Sequence, residues 1–299
     1  MKAMPQSVMS LLPILRCPYS GLPIIGNESG FHSEEQSYSM IDGILNFVND
    51  EKVAAIDEFF QRQYGEKTAK SYDLALKLQS LLFGCWEPAE RGRLARLLDP
   101  PRGGRLLEVS VGTGANLPHL AGMLGSGSEG EIIGVDLSLS MLKVAQKRAE
   151  KLTLPVHLIR GDGCHLPFAD NSFDAVFHFG GINMFGDVKQ GISEMVRVAK
   201  PGAPIVISDE VMSENRRRTW IGRRLGKMNT LNLCRPPFDK IPWVEVEGFE
   251  LHWAWRELFY ILQFRKGTGA GQHCAANSTL TTRDEIRRRV GGSTKKHAT

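Results

Sequence analysis

Leu106-Leu107-Glu108-Val109-Ser110-Val111-Gly112-Thr113-Gly114-Ala115-Asn116-Leu117 decides how this chain folds. Its first residues are apolar with a single acid and read as a buried strand. Gly112 and Gly114 then make a tight turn, and Asn116-Leu117-Pro118-His119-Leu120 opens a helix. A strand, a glycine turn and a helix N-terminus form a site for a nucleotide-like ligand. Glycine lets the backbone come close, and the free N–H groups of the first helical turn face the ligand. A second acid ends the next apolar run, Ile132-Ile133-Gly134-Val135-Asp136, 28 residues after Glu108. That is roughly the spacing at which a βαβ unit presents an acid to ribose hydroxyls.

The glycine pattern narrows the ligand. Dinucleotide folds use G-x-G-x-x-G to accommodate a pyrophosphate. Here no third glycine follows at the start of the helix, and Glu108 stands on the approach to the loop, where it would repel a pyrophosphate. The same carboxylate suits a cation carrying an ammonium or a sulfonium.

Later blocks repeat a known order. They are Gly161-Asp162-Gly163-Cys164-His165-Leu166-Pro167-Phe168, Asn171-Ser172-Phe173-Asp174-Ala175-Val176 and Glu194-Met195-Val196-Arg197-Val198-Ala199-Lys200-Pro201-Gly202. With the opening stretch, this set resembles class I S-adenosylmethionine (SAM)-dependent methyltransferases, in the branch containing ubiquinone and menaquinone biosynthesis enzymes. The similarity covers roughly residues 55–265. Ser110 departs from the pattern: it stands where the family has its first glycine, and its Cβ crowds the turn.

The resemblance implies a cofactor-binding set of Glu108, Ser110, Gly112, Gly114, Asp136, Leu137, Asp162, Gly163 and His178. Glu108 and the Gly112–Gly114 backbone would hold the methionine part of SAM. Asp136 would take the ribose hydroxyls, and Asp162 with the Gly163 backbone would meet the adenine, against which Leu137 packs. The segment His178-Phe179-Gly180-Gly181-Ile182-Asn183-Met184-Phe185 should border the transferred methyl. His178 is the one histidine placed to act as a base, although a histidine at a strand end is as often structural. Asn183 would orient the acceptor, and Asp209 or Glu210 would anchor a polar group on it. Cys164 reads as a packing residue.

Strand patterns near 105–110, 132–136, 156–160, 175–179 and 203–208 alternate with helical stripes near 115–124, 138–151 and 187–199. Phe249–Trp255 and Phe259–Lys266 read as closing antiparallel strands. The expected fold is α/β: a Rossmann-like, seven-stranded, mostly parallel sheet with helices on both faces, plus a small N-terminal β module and a helical lid. Residues 50–266 form the methyltransferase domain. Its first part is a helical cap with Asp50 as N-cap, Tyr64 and Tyr72 near the pocket, and a third helix over Glu87 to Leu98.

Residues 1–49 resemble a degenerate zinc-ribbon-like module. The positions that would ligate metal hold Cys17, Ser20, Phe31 and Glu34. One thiolate does not hold structural zinc, which takes four N or S ligands, so no metal is expected. Residues 214–227 carry Arg216, Arg217, Arg218, Arg223, Arg224 and Lys227. This cluster reads as a solvated helix face, with a membrane-surface or RNA contact as the alternative. Residues 267–299 are rich in Gly, Ser, Thr and Lys, and are expected to be a disordered tail.

Composition sets outer bounds. The chain has 299 residues, 42% of them hydrophobic, and a net charge of +4 that is too mild to argue for nucleic acid. No run reaches the ~18 apolar residues of a membrane span. Pro5 and Pro13 interrupt the apolar N-terminus, so a signal peptide is not expected. Five scattered cysteines without a C-x-x-C pair fit a reducing, cytoplasmic compartment. These readings together predict methyl transfer from SAM to a small, fairly apolar acceptor such as a quinone, polyketide, lipid or other specialised metabolite. An rRNA or tRNA methyltransferase, or a SAM-binding protein without transfer activity, are the alternatives. Oligomeric state is left open.

Overall fold

The computed structural model describes residues 6–27, 30–34, 36–49, 73, 76–78, 80–81, 84–125, 130–228 and 234–269. The expected N-cap Asp50, Tyr64, Tyr72, most of the helical cap and nearly all of the tail lie outside these residues. The strands are β1 (Ile25–Asn27), β2 (Gly30–His32), β3 (Ser37–Ile41), β4 (Ile44–Asn46), β5 (Arg105–Val109), β6 (Glu131–Asp136), β7 (Val156–Arg160), β8 (Ala175–Phe179), β9 (Pro204–Glu210), β10 (Val246–Ala254) and β11 (Phe259–Lys266). The helices are α1 (Gln6–Met9), α2 (Glu87–Leu98), α3 (Leu117–Leu124), α4 (Leu139–Ala149), α5 (Val188–Val198), α6 (Glu214–Arg218) and α7 (Trp220–Met228).

The strands form one sheet in the order β1-β2-β3-β4-β7-β6-β5-β8-β9-β11-β10. From β4 to β9 every pairing is parallel, and β11 and β10 close the far side antiparallel. The seven-stranded Rossmann-like block expected from the sequence is present within it, from β7 to β10. The sheet is larger than that block because the N-terminal strands extend it. Leu45 and Asn46 of β4 pair in parallel with Ile159 and Arg160 of β7. The segment before β1 also joins in: the Arg16 N–H donates to the Pro167 carbonyl at 3.0 Å, and the Ala169 N–H to the Ile14 carbonyl at 2.8 Å. Phe31, one of the four ribbon positions, is buried in the core, while Glu34 is exposed.

Alternation along each strand divides the core between the two faces. Leu107, Val109, Val176, Ile205 and Ile207 pack with Ile192, Met195 and Val196 of α5 and with Leu11, Leu15 and Phe31 from the N-terminus. Leu106, Ile132, Phe177 and Val206 pack on the other face with Leu94, Ala95 and Leu98 of α2, with α3, and with Leu142 of α4. Local caps set the helix starts. The Met141 N–H donates to Ser138 Oγ at 3.4 Å, and the Gln190 N–H to Asp187 Oδ1 at 3.0 Å. The order reverses at β5, which is flanked by β6 on one side and β8 on the other. In such sheets ligands bind beyond the carboxyl ends of the strands at that switch point.

Candidate active site

Glu108 lies next to the end of β5 and is fully buried. Its Oε1 accepts from Asn116 Nδ2 at 2.7 Å, whereas Oε2 is buried with no hydrogen-bond partner. Burial pushes the carboxyl up to about 8, against the Asn116 hydrogen bond and the charge of Arg91, with Asp136 adding to the rise. A buried acceptor without a partner costs roughly 1–3 kcal/mol, more for a charged group. A cationic or N–H-bearing ligand atom at Oε2 would remove that cost.

The glycine turn follows directly. Gly112 and Gly114 have φ of 54° and 73°. A Cβ on Gly114 would stand 2.7 Å from Leu117 Cδ1 and 3.1 Å from Ala145 Cβ, so α4 could not pack this close to the loop with any other residue there. Ser110 takes the left-handed conformation too, at φ 58°. The serine therefore keeps the turn shape that a glycine would give, at a cost in backbone strain. Ser110→Gly should raise the unfolding free energy by about 0.5–1 kcal/mol and leave SAM affinity unchanged, as read by denaturant melts and calorimetry.

Asp136 ends β6 and holds the turn. Its Oδ2 accepts from the Gly112 N–H at 2.8 Å and its Oδ1 from the Ser138 N–H at 2.8 Å. Burial outweighs these hydrogen bonds and pushes the carboxyl up to about 6. Each oxygen keeps a further lone pair, so a ligand diol can still be bound. Thr113, inside the turn, donates its hydroxyl to Asp73 at 2.7 Å, and Arg148 bridges Asp73 to the Thr113 carbonyl.

Asp162 accepts from the Cys164 N–H at 2.8 Å and meets His165 Nδ1 at 2.9 Å. The ring of Phe185 lies over Gly163, where a Cβ would come within 2.6 Å of it. The Glu194–Arg197 pair explains its own block of sequence. Glu194 accepts from the Leu166 N–H at 2.8 Å, and Arg197 donates to the carbonyls of Leu166 and Phe168. The pair clamps the loop that carries Asp162.

The residues expected at the methyl separate into two groups. His178 is fully buried, on the sheet face opposite Glu108: it is aligned with Val109, whereas Glu108 is aligned with Phe177. Its Nδ1 lies 3.0 Å from the Val109 carbonyl, so the N–H sits there and the buried Nε2 carries the lone pair, with no partner. Burial pulls the imidazole down to about 4. Asn183 is occupied in shaping the loop. Its N–H donates to Asp209 Oδ2 at 2.8 Å and its Nδ2 to the Glu210 carbonyl at 2.9 Å. Asp209, pushed up to about 6 by burial, also accepts from the Glu210 N–H at 2.7 Å.

Arg91, which the sequence reading passed over, completes the Glu108 side. Arg91 of α2 is buried; its Nη1 donates to Asn116 Oδ1 at 2.7 Å and its Nε to Glu87. A hydrogen-bonded line thus runs Glu87–Arg91–Asn116–Glu108. The Arg91 guanidinium also lies 4.6 Å from the centroid of the Phe179 ring. Phe179 stacks on Phe259 at 5.6 Å with an 11° interplanar angle, and Trp255 lies 5.3 Å from Phe179 and 4.8 Å from Phe259. These rings line the carboxyl edge beyond β8. The turn that carries Trp255 has three successive left-handed residues, Trp255, Arg256 and Glu257, with φ of 47°, 53° and 67°. Such strain persists where surrounding structure enforces it, and here Ser213 bonds to both the backbone and the carboxylate of Glu257.

A doubly wound sheet with an acid near the end of its first core strand, a glycine turn and an acid at the end of its second defines an α/β site for a nucleotide-type ligand. A family model described as a methyltransferase domain matches residues 107–207. A demethylmenaquinone methyltransferase of Corynebacterium kroppenstedtii is 35% identical over 144 residues, covering 48% of this chain and 57% of the relative. Another, from Bacillus cereus, is 32% identical over 177 residues, covering 59% of this chain and 70% of the relative. The structure of Haemonchus contortus phosphoethanolamine N-methyltransferase 2 in complex with SAM has the same fold, with a TM-score of 0.52 at 18% identity. That match covers 73% of this chain and 61% of the other. The chain belongs to the SAM-dependent methyltransferases. No helix among the described residues is long and apolar enough to cross a membrane.

Proposed function

We propose that this protein transfers a methyl group from SAM to a small, fairly apolar, ring-bearing acceptor of the quinone type. The donor supplies an activated methyl on a sulfonium, and the chain's task is to hold, align and exclude water. Glu108, through its free Oε2, would take the α-ammonium of the methionine part. Asp136 would accept from the ribose hydroxyls, and Asp162 with the Gly163 backbone would border the adenine beside Leu137.

The observation that carries the acceptor reading is the apolar, aromatic character of the edge beyond β8, a wall in which Phe179 and Phe259 pack with the buried Trp255 on the same sheet face as Glu108. The faces of Phe179 are taken by Phe259 and Arg91, so this edge would hold a planar apolar ring by burying it rather than by stacking on Phe179. The relatives named demethylmenaquinone methyltransferases point the same way. Asn183, with Asp209 and Glu210, would fix the loop that closes over the acceptor. A polyketide or lipid with a comparable ring fits the wall equally well.

His178 supports the site by packing beneath it rather than by taking a proton, since a fully buried imidazole at about 4 is a weak base. His178→Gln should leave the pH profile of turnover where it is. An alkaline or acid limb that disappears in this variant would restore the base assignment. The function itself is tested by incubating the protein with SAM and a reduced demethylated naphthoquinone. The expected products are S-adenosylhomocysteine and an acceptor heavier by one methyl. Absence of both, with SAM binding intact, would favour the reading as a binding protein without transfer.

A further inference from the structure

We propose that α6 and α7 dock the protein on an anionic lipid surface, with Trp220 entering the interface among cationic side chains. The proposal rests on the acceptor reading above only for its purpose, which is access to an apolar acceptor held in lipid.

Between Glu214 and Lys227 the chain carries six cationic side chains and one carboxylate. Helical spacing sorts them. Trp220, Arg223, Arg224 and Lys227 stand at i, i+3, i+4 and i+7 of α7 and share one exposed face. Trp220 is 70% exposed, and Ile221 at the flank of that face is 38% exposed. The opposite face is Gly222, Leu225 and Gly226, and Leu225 packs into the core cluster that contains Met212 and Trp255.

Gly222 sets the geometry. A Cβ there would come within 1.9 Å of the Arg216 carbonyl oxygen, so only glycine lets α7 lie this close to α6. The close packing brings the end of α6 against α7, where Arg223 Nη1 donates to the Arg218 carbonyl at 2.8 Å. Arg217, by contrast, is spent inside the fold, on the carbonyls of Met212 and Cys234. Arg218, Arg223, Arg224 and Lys227 form no ion pair with a carboxylate among the described residues.

A merely solvated face needs cations but gains nothing from an indole in water. A lipid interface accommodates both: tryptophan seats at the headgroup level, while arginine and lysine stems lie along it with their charges at the phosphates. The adjoining apolar pair of Trp220 and Ile221 favours lipid over RNA, where one ring would stack on one base. The position is apt as well. α6 and α7 directly follow β9, and the Leu225 contact places α7 against the cluster holding Trp255 of the acceptor wall.

The test is co-sedimentation of the full chain with vesicles of phosphatidylcholine alone and of phosphatidylcholine mixed with phosphatidylglycerol, at low and raised salt. The protein should partition onto the mixed vesicles and be released by salt. Each cation removed should weaken partition about fivefold. The variant carrying Arg223→Gln, Arg224→Gln and Lys227→Gln should therefore lose about a hundredfold, and Trp220→Ala should lose partition without changing its salt dependence. Unchanged partition in the triple variant, or no preference for anionic vesicles, would overturn the proposal. Tighter binding to a single-stranded RNA oligomer than to vesicles at the same salt would overturn it in favour of nucleic acid. SAM titration of the same preparations separates the two readings. Lost SAM binding would undo the methyl-transfer reading while leaving the vesicle result standing.

Discussion

Glu108→Gln should weaken SAM binding by about 10- to 100-fold and, at pH 8, should make the ligand-free protein more stable. The two effects have opposite signs and one cause. The carboxyl titrates near 4.5 when exposed and at about 8 in the fold. Between those values the folded state holds a proton that the unfolded state has released. The Glu108 contribution to stability is therefore full below about pH 4.5 and is lost as pH rises through about 8. Asp136 and Asp209 act in the same direction between 3.8 and about 6. The ligand-free protein should grow less stable from mildly acidic to alkaline pH, and the Gln variant should flatten the upper part of that decline. A bound ammonium reverses the preference and favours ionised Glu108. Binding at pH 7 should then release close to one proton in the parent and close to none in the variant. Calorimetric titration in two buffers of different ionisation enthalpy reads this directly. A binding enthalpy that is the same in both buffers for the parent would contradict it.

Arg91→Met has the second large effect. It strands the Glu87 carboxylate and the Asn116 carbonyl in a buried setting, and one-sided removal of a buried ion pair costs about 3–5 kcal/mol. For a domain of this size that is a fall in melting temperature of about 10 °C. The double variant Glu87→Gln with Arg91→Met should recover part of the loss, because it no longer leaves an unpaired charge. SAM affinity should fall in both, since Asn116 is freed to turn away from Glu108. If the double variant melts no higher than the single one, the cost comes from lost packing against Phe179 rather than from the stranded charge.

What could be read from the sequence was what is local in the chain. Glu108, Gly112, Gly114 and Asp136 come from two successive strands and the turn between them, and their spacing alone brought them together. The strand and helix spans from β5 to β11 agree with the structure because each carries its own period. Arg91 escaped notice because a charged residue is read as solvent-facing. Yet it stands at i of a stripe continued by Leu94, Ala95 and Leu98 at i+3, i+4 and i+7, and a cation on an apolar stripe is itself a signal. The aromatic wall escaped because Phe179 meets Trp255 and Phe259 only through the pairing of β8, β9 and β11, which no local pattern encodes. His178 was placed on the right strand, but its face follows from alternation relative to Val109, a cross-strand relation. The attachment of β4 was also hidden. Three residues are too few to show a period, and their partner strand lies on the far side of the glycine turn.

That attachment gives the protein an order of assembly in time. Asn46 and Arg160 touch across 114 residues of chain. At a synthesis rate of about 5–20 residues per second, the N-terminal strands leave the ribosome roughly 6–20 s before the strand they will flank. Until then β4 offers an unsatisfied hydrogen-bonding edge to whatever is near. Strands β1–β4 are thus made well before the strand they flank and are among the last able to settle, and a nascent chain halted before residue 160 should be the form most prone to aggregate.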